Sequence, residues 1–233
     1  MPPERTGTGH AVPDPPRCRS FVPYFLVSSI AVILVGCSSV TSPPRVAVVG
    51  DSITALAQPD ISSALEPSYG VGFLFRISVR IDPMLDLVAS DLQRNSPTAA
   101  VVINLGTNDA IAGGDSAYAL MNFDQLMTTV GSVRCVVLTT IGPFADNQGG
   151  SDVGASLNRR MNDLVAADPR RYKLVDWNGF LKSLNSQVHP IYLQRDLIHE
   201  TQAGARWIAA SDKKALDMCG TDEQIPMIRP PTM

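Results

Sequence analysis

The sequence predicts an α/β fold: a three-layer α/β/α sandwich built on a doubly wound parallel sheet. Three observations point there. Runs such as "RVAVVG" (45–50), "TAAVVINLG" (98–106) and "RCVVLTTIG" (134–142) are apolar throughout and of strand length, the pattern of strands covered on both faces. Segments of helical period separate them. The composition, 45% hydrophobic and 18% charged over 233 residues, allows a packed core. Parallel strands joined by right-handed helical crossovers wind outward in both directions from the first strand, in the flavodoxin-like manner.

The elements follow in order. "RVAVVG" is the first buried strand. "TALAQPDISSALEP" (54–67) reads as a helical region interrupted by Pro59, and "YGVGFLFRISV" (69–79) as a second strand. "PMLDLVASDLQRN" (83–95) has Pro83 near its start and apolar residues at 84, 85, 87, 88 and 92, which is a helical period. The third strand is 98–106, a helix covers 116–131, and the fourth strand is 134–142. "PFADNQGGSDVG" (143–154) reads as a Gly-rich loop, "ASLNRRMNDLVAAD" (155–168) as a helix and "YKLVDW" (172–177) as the fifth strand. A short helix over 178–185, an irregular stretch and a last helix from about Thr201 to Met218 complete the domain.

The N-terminal 36 residues are expected to lie outside the fold. Arg17 and Arg19 precede "FVPYFLVSSIAVILV" (21–35). At about 15 residues this run is short for a membrane span, which needs roughly 20, and it has the layout of a secretory signal. Leu34-Val35-Gly36-Cys37 resembles the lipobox of bacterial lipoproteins. That resemblance implies cleavage before Cys37 and a lipid on its thiol; the other reading is an uncleaved N-terminal anchor. The expected organisation is a signal peptide at 1–36, a lipidated tether at 37–44, a domain at 45–219 and a flexible tail at 220–233. The protein is then exported, anchored to the cell membrane through lipid on Cys37, and faces the periplasm or cell wall. In an oxidising compartment the two cysteines of the domain, Cys135 and Cys219, are expected to pair. Both fall at the sheet edge opposite the ligand edge; two buried free thiols are the alternative. A net charge of −3 without a long basic run predicts no nucleic-acid partner.

In a doubly wound sheet, ligands bind beyond the carboxyl ends of the strands. That edge collects the loops after strand one (Asp51, Ser52), after strand two (Ser78 to Asp82) and after strand three (Thr107 to Asp109). Ser52, at a strand-to-helix turn, is either a helix cap or a nucleophile. A nucleophilic serine needs a base, and beyond the leader only His189 and His199 remain. His199 has Asp196 three residues before it, a spacing that brings a carboxylate onto Nδ1 and leaves Nε2 facing outward. The backbone N–H of Ser52 and the side-chain amide of Asn108 are candidate oxyanion donors. Taken singly, D-x-x-H is most simply a surface turn and G-T-N-D a helix-capping turn.

Together, "GDS" after the first strand, "GTND" after the third and "DxxH" before the last helix resemble the SGNH hydrolases, also called GDSL esterases. The resemblance spans residues 45 to 218. It implies Ser52 as nucleophile, Asp196 and His199 as its acid and base, and Ser52 and Asn108 as oxyanion donors. One departure stands out: the family's second block has a glycine whose amide is a further oxyanion donor, and "FRISVRIDP" (75–83) has none. Ser78, Val79 or Arg80 must take that place, and Arg80 either meets an anionic substrate group or is a solvated loop charge. The implied activity is acyl transfer through an acyl-enzyme. An esterase acting on acylated glycan, glycolipid or a small ester is expected first, with an O-acyltransferase or a non-catalytic binding lipoprotein as alternatives. The short tether, at most about 28 Å from Cys37 to Arg45, turns the catalytic edge away from the bilayer. No cofactor is expected, and no metal: two histidines and two cysteines leave few ligands.

Overall fold

The computed structural model describes residues 42–221. The leader, Cys37 and the segment 222–233 lie outside the described residues. Five parallel strands form one sheet: β1 (Arg45–Gly50), β2 (Gly70–Phe75), β3 (Ala100–Asn104), β4 (Cys135–Thr139) and β5 (Tyr172–Val175). Their order is β2-β1-β3-β4-β5, the doubly wound arrangement expected. Nine α-helices connect and flank them among the described residues: α1 (Ser52–Leu65), α2 (Leu85–Arg94), α3 (Thr107–Ala112), α4 (Ser116–Thr129), α5 (Ala145–Gly149), α6 (Val153–Ala167), α7 (Trp177–Ser183), α8 (His189–Tyr192) and α9 (Gln202–Thr221).

Strand alternation divides the core into two layers. Val46, Val48, Ala100, Val102 and Val137 point to the side covered by α1 and α9. Ala47, Val49, Val101, Ile103, Val136 and Leu138 point to the other side, against Val88 of α2, Phe123 and Leu126 of α4, and Leu157 and Met161 of α6. Each strand therefore feeds both layers, which is why its sequence shows no polar alternation. Cys135, on the α1/α9 side, forms a disulfide with Cys219 in the last turns of α9, with Cα atoms 5.9 Å apart.

Several elements differ from expectation. Pro59 does not interrupt α1, which runs unbroken across it. The ring lacks an N–H for the Ala55 carbonyl, but Pro59 lies on the exposed face, where its bulk meets no neighbouring layer, while Ile53, Ala57, Ile61 and Leu65 bury the opposite face. The second strand stops at Phe75 rather than Val79, because its partner β1 ends at Gly50, opposite Phe75, and turns into a helix. The expected loop 143–154 contains α5 and the start of α6. Short helices α3 and α8 are also present; at six and four residues they are too brief to show a helical period. Helix α9 runs through Thr221, two residues into the segment assigned to the tail.

Candidate active site

Two glycines let the sheet deliver its loops. A Cβ on Gly50 would lie 1.8 Å from the Thr54 hydroxyl oxygen, so only glycine allows α1 to start directly off β1. Gly106 has φ +110°, and a Cβ there would press within 3 Å of Ile141 and Leu157. These close approaches account for the glycines of "GDS" and "GTND".

Asp51 is the N-cap of α1 and takes the Ile53 amide on Oδ1 at 3.0 Å. Its other oxygen, Oδ2, accepts from the Asn108 side-chain amide at 2.9 Å. Asp51 is fully buried, and burial pushes its carboxyl up to about 6, against the hydrogen bonds and the nearby His199. Ser52 is the first residue of α1, so its side chain stands at the rim while its amide belongs to the open end of the helix.

The imidazole comes from the turn between α8 and α9. Asp196 Oδ1 accepts the backbone amides of Ile198 and His199 at 3.0 Å each, closing a tight turn in which Leu197 adopts φ +61°. Oδ2 faces His199 Nδ1 at 2.7 Å, and His199 Nε2 lies 2.9 Å from Ser52 Oγ. With the Nδ1–H donating to the carboxylate, Nε2 is the acceptor for the serine hydroxyl. Burial tends to raise the Asp196 carboxyl, but the bond from the imidazole and the two amides outweigh it and hold the group below its ordinary value. The Gln194 amide donates to the His199 carbonyl at 2.8 Å, and an antiparallel bridge pairs Leu193 with Glu200. These contacts lash the turn to the body.

The sequence-derived candidates Ser52, Asn108, Asp196 and His199 thus meet at one edge, Asn108 through Asp51. The second-block candidates Ser78, Val79 and Arg80 follow β2, whose last residue pairs with Gly50. Ser78 has φ +56°, the left-handed conformation that glycine favours. Val79 is buried, and Arg80 is exposed with its Nε 3.9 Å from Asp82. His189 is directed elsewhere: its Nε2 meets the Leu181 carbonyl at 3.0 Å and its ring packs edge-on against Phe144.

Sequence reasoning missed four contributors. Asp51 was legible as a cap, but not as the holder of Asn108. Asp109 and Gln148 act through backbone partners distant in sequence: Asp109 accepts from the Ile81 amide, and Gln148 donates to the Asp196 carbonyl at 3.1 Å. Glu200, which follows His199 in the chain, is 2% exposed with no hydrogen-bond partner for either oxygen, and burial pushes it up to about 8. A cavity of about 930 Å³ opens at the opposite sheet edge beside Arg134, Arg170 and the disulfide and does not reach Ser52. Among the described residues, no three His, Cys, Asp or Glu side chains are grouped so as to hold a metal ion.

No protein-family model matches the sequence, and no curated protein does. Solved structures do match. The C-terminal catalytic domain of peptidoglycan O-acetyltransferase A from Streptococcus pneumoniae, with a methylsulfonyl adduct, superposes with a TM-score of 0.62 at 18% identity, over 78% of this chain and 97% of that one. The lipase/acylhydrolase from Enterococcus faecalis gives 0.62 at 18% identity, over 81% and 100%. A member of the lipolytic protein G-D-S-L family from Veillonella parvula gives 0.60 at 18% identity, over 73% and 96%. The chain has the SGNH hydrolase fold. Each match takes in nearly all of the other chain, so this fold is present whole.

Proposed function

We propose that the protein is a serine esterase of SGNH type that cleaves carboxylic acyl esters. The observation that carries this reading is the continuous chain from Ser52 Oγ through the His199 imidazole to Asp196, with steps of 2.9 and 2.7 Å. His199 Nε2 takes the Ser52 proton as Oγ attacks the ester carbonyl carbon. The carbonyl π-electrons move onto oxygen, where the Asn108 N–H not used by Asp51, the Ser52 amide and an amide of residues 78–80 receive the charge. The intermediate collapses, the ester C–O bond breaks, and the imidazolium gives its proton to the leaving alcohol. Water then attacks the acyl-enzyme, losing a proton to His199, and Ser52 is released with a carboxylic acid. Asp196 holds the tautomer and stabilises the imidazolium.

The substrate we favour is an acyl group on a glycan or glycolipid of the cell envelope, reached by a protein exported and lipidated at Cys37. The lipobox-like segment and the short tether support that setting. The site also stands open at the rim, with His199 and Asp196 side chains about one-third and under one-half exposed (32% and 44%), so a bulky polymer can approach. The likeness to a peptidoglycan O-acetyltransferase domain favours a second reading, in which a sugar hydroxyl replaces water as the acyl acceptor.

Covalent labelling by a fluorophosphonate probe, compared between wild type and Ser52→Ala, tests the nucleophile. Equal labelling of both overturns the reading. Release of acetate from acetylated peptidoglycan or xylan, scored against cleavage of diacyl phospholipids, tests the substrate class; phospholipid cleavage alone counts against it. Transfer product formed with an added sugar acceptor distinguishes the second reading. Palmitate incorporation abolished by Cys37→Ala tests the anchor.

A further inference from the structure

Helix α3 presents two consecutive polar side chains in different directions. Asn108 turns to Asp51 on the first-strand side, and Asp109 turns to the backbone after β2, where its Oδ2 accepts from the Ile81 amide at 3.1 Å. The segment it meets lies beside the nucleophile: the Arg76 amide donates to the Gly50 carbonyl at 3.4 Å, and two residues after Gly50 comes Ser52.

This segment carries a local strain. Ser78 at φ +56° is one of two non-glycine residues with positive φ among the described residues, the other being Leu197 in the turn that holds His199. A side chain in the left-handed region crowds its Cβ against the backbone, a cost that glycine avoids. Left alone, residues 76–80 would relax to an ordinary backbone and redirect their amides. One anchor lies within the segment and one just downstream: Val79 and Ile81 are buried in the core, and the Ile81 amide is tied to Asp109. Asp109 is itself 4% exposed. A carboxylate in that setting is costly unless it is hydrogen-bonded; a first-turn acid serving α3 alone has no need to face Ile81.

We propose that Asp109 is a positioning residue: by holding Ile81 it keeps the 76–80 segment, with Ser78 in its left-handed conformation, aimed at the oxyanion of the substrate on Ser52. Asn108 and Asp109 then serve the two sides of one oxyanion site from adjacent positions, the first by donating to it and the second by fixing the backbone that donates to it. The missing second-block glycine is thereby compensated by a tether rather than by conformational freedom. The proposal rests on the esterase reading for its kinetic consequence, but its structural half stands apart from it.

The test is a double-mutant cycle with Asp109→Ala and Ser78→Gly, measured on a p-nitrophenyl ester well below the melting temperatures of all variants, together with amide hydrogen exchange. Removing an oxyanion donor outright costs about 100- to 1000-fold, so loosening one predicts a kcat loss of about 10- to 100-fold in Asp109→Ala, with KM within about twofold. Asp109→Asn, whose side-chain oxygen still accepts from Ile81, retains more activity than Asp109→Ala. The gain that Ser78→Gly brings in the Asp109→Ala background should exceed its gain in wild type by at least about fivefold, because glycine no longer needs the tether. Hydrogen exchange across 76–82 should quicken in Asp109→Ala and leave β1 protected. A kcat loss that Ser78→Gly corrects equally in both backgrounds, or exchange across 76–82 unchanged by Asp109→Ala, overturns the proposal. If wild type lacks esterase activity, the esterase reading fails and the exchange measurement alone decides the tether.

Discussion

Asn108 reaches across from α3 and donates its side-chain amide to Asp51 Oδ2 at 2.9 Å, while the other oxygen of Asp51 caps the helix that begins with Ser52. One buried carboxylate thus sets both the start of the helix that carries Ser52 and the direction of the Asn108 amide.

The roles of Asp51 are separable. Asp51→Asn keeps one acceptor and can still cap Ile53, but its amide nitrogen cannot accept from Asn108. We expect kcat on a p-nitrophenyl ester to fall about 10- to 100-fold, approaching the roughly 100- to 1000-fold expected for Asn108→Ala. Asp51→Ala also loses the cap and should cost about 1 kcal/mol of stability. Thermal melts beside kinetics on all three variants check this; a normal kcat in Asp51→Asn removes Asp51 from the site.

The Asp196–His199 pair predicts a loss without a binding defect. Asp196→Ala frees the imidazole tautomer and opens the turn that Oδ1 closes. A fall in kcat of about 10⁴-fold with KM little altered is expected. Steady-state kinetics decide it, and a loss confined to KM contradicts the assigned role.

Stability should decline toward alkaline pH. Burial pushes Glu200 up to about 8 from an ordinary 4.5, and Asp212 up to about 8 from 3.8. The unfolded chain releases these protons first, while the folded chain keeps them until about pH 8. Their contribution to stability is therefore full below the unfolded values and is lost as pH rises through the folded ones. Each group's contribution falls progressively across that window. Glu200→Gln and Asp212→Asn should flatten the fall in melting temperature between pH 5 and pH 8 and melt higher than wild type at pH 8. A slope unaltered by both substitutions refutes the assignment.

The disulfide joins β4 to the end of α9 across 84 residues of sequence. A loop of that length corresponds to about 4–5 kcal/mol of lost chain entropy in the unfolded state. Cys135→Ala/Cys219→Ala, or reduction of wild type, should lower the melting temperature clearly. Because the bond sits at the edge opposite Ser52, kcat measured well below melting should change less than twofold; a large kcat loss there would point to coupling between the edges.

The strands and long helices were legible because each places a face or a run of several residues against a layer, and burial writes a period into the sequence. Ser52, His199 and Asn108 were legible as candidates because the motifs that carry the resemblance are local: Asp51 beside Ser52, Asp196 three residues from His199, Gly106 two before Asn108. Helices α3 and α8 left no period to read. The continuity of α1 across Pro59 depended on which face Pro59 occupies. The end of β2 depended on where β1 runs out of partner.

From its residues alone, this protein's layer architecture and doubly wound order could be derived, since burial periodicity is a property of neighbouring positions, and the candidate site residues followed from the resemblance of three short motifs taken together. Only the tertiary structure decided that Asp51 holds Asn108, that Asp109 ties down Ile81, and that Ser78 takes a backbone shape suited to glycine. Those relations join loops separated by dozens of residues. They exist because parallel strands end together at one edge, where a buried carboxylate must find whatever donors the fold brings to it.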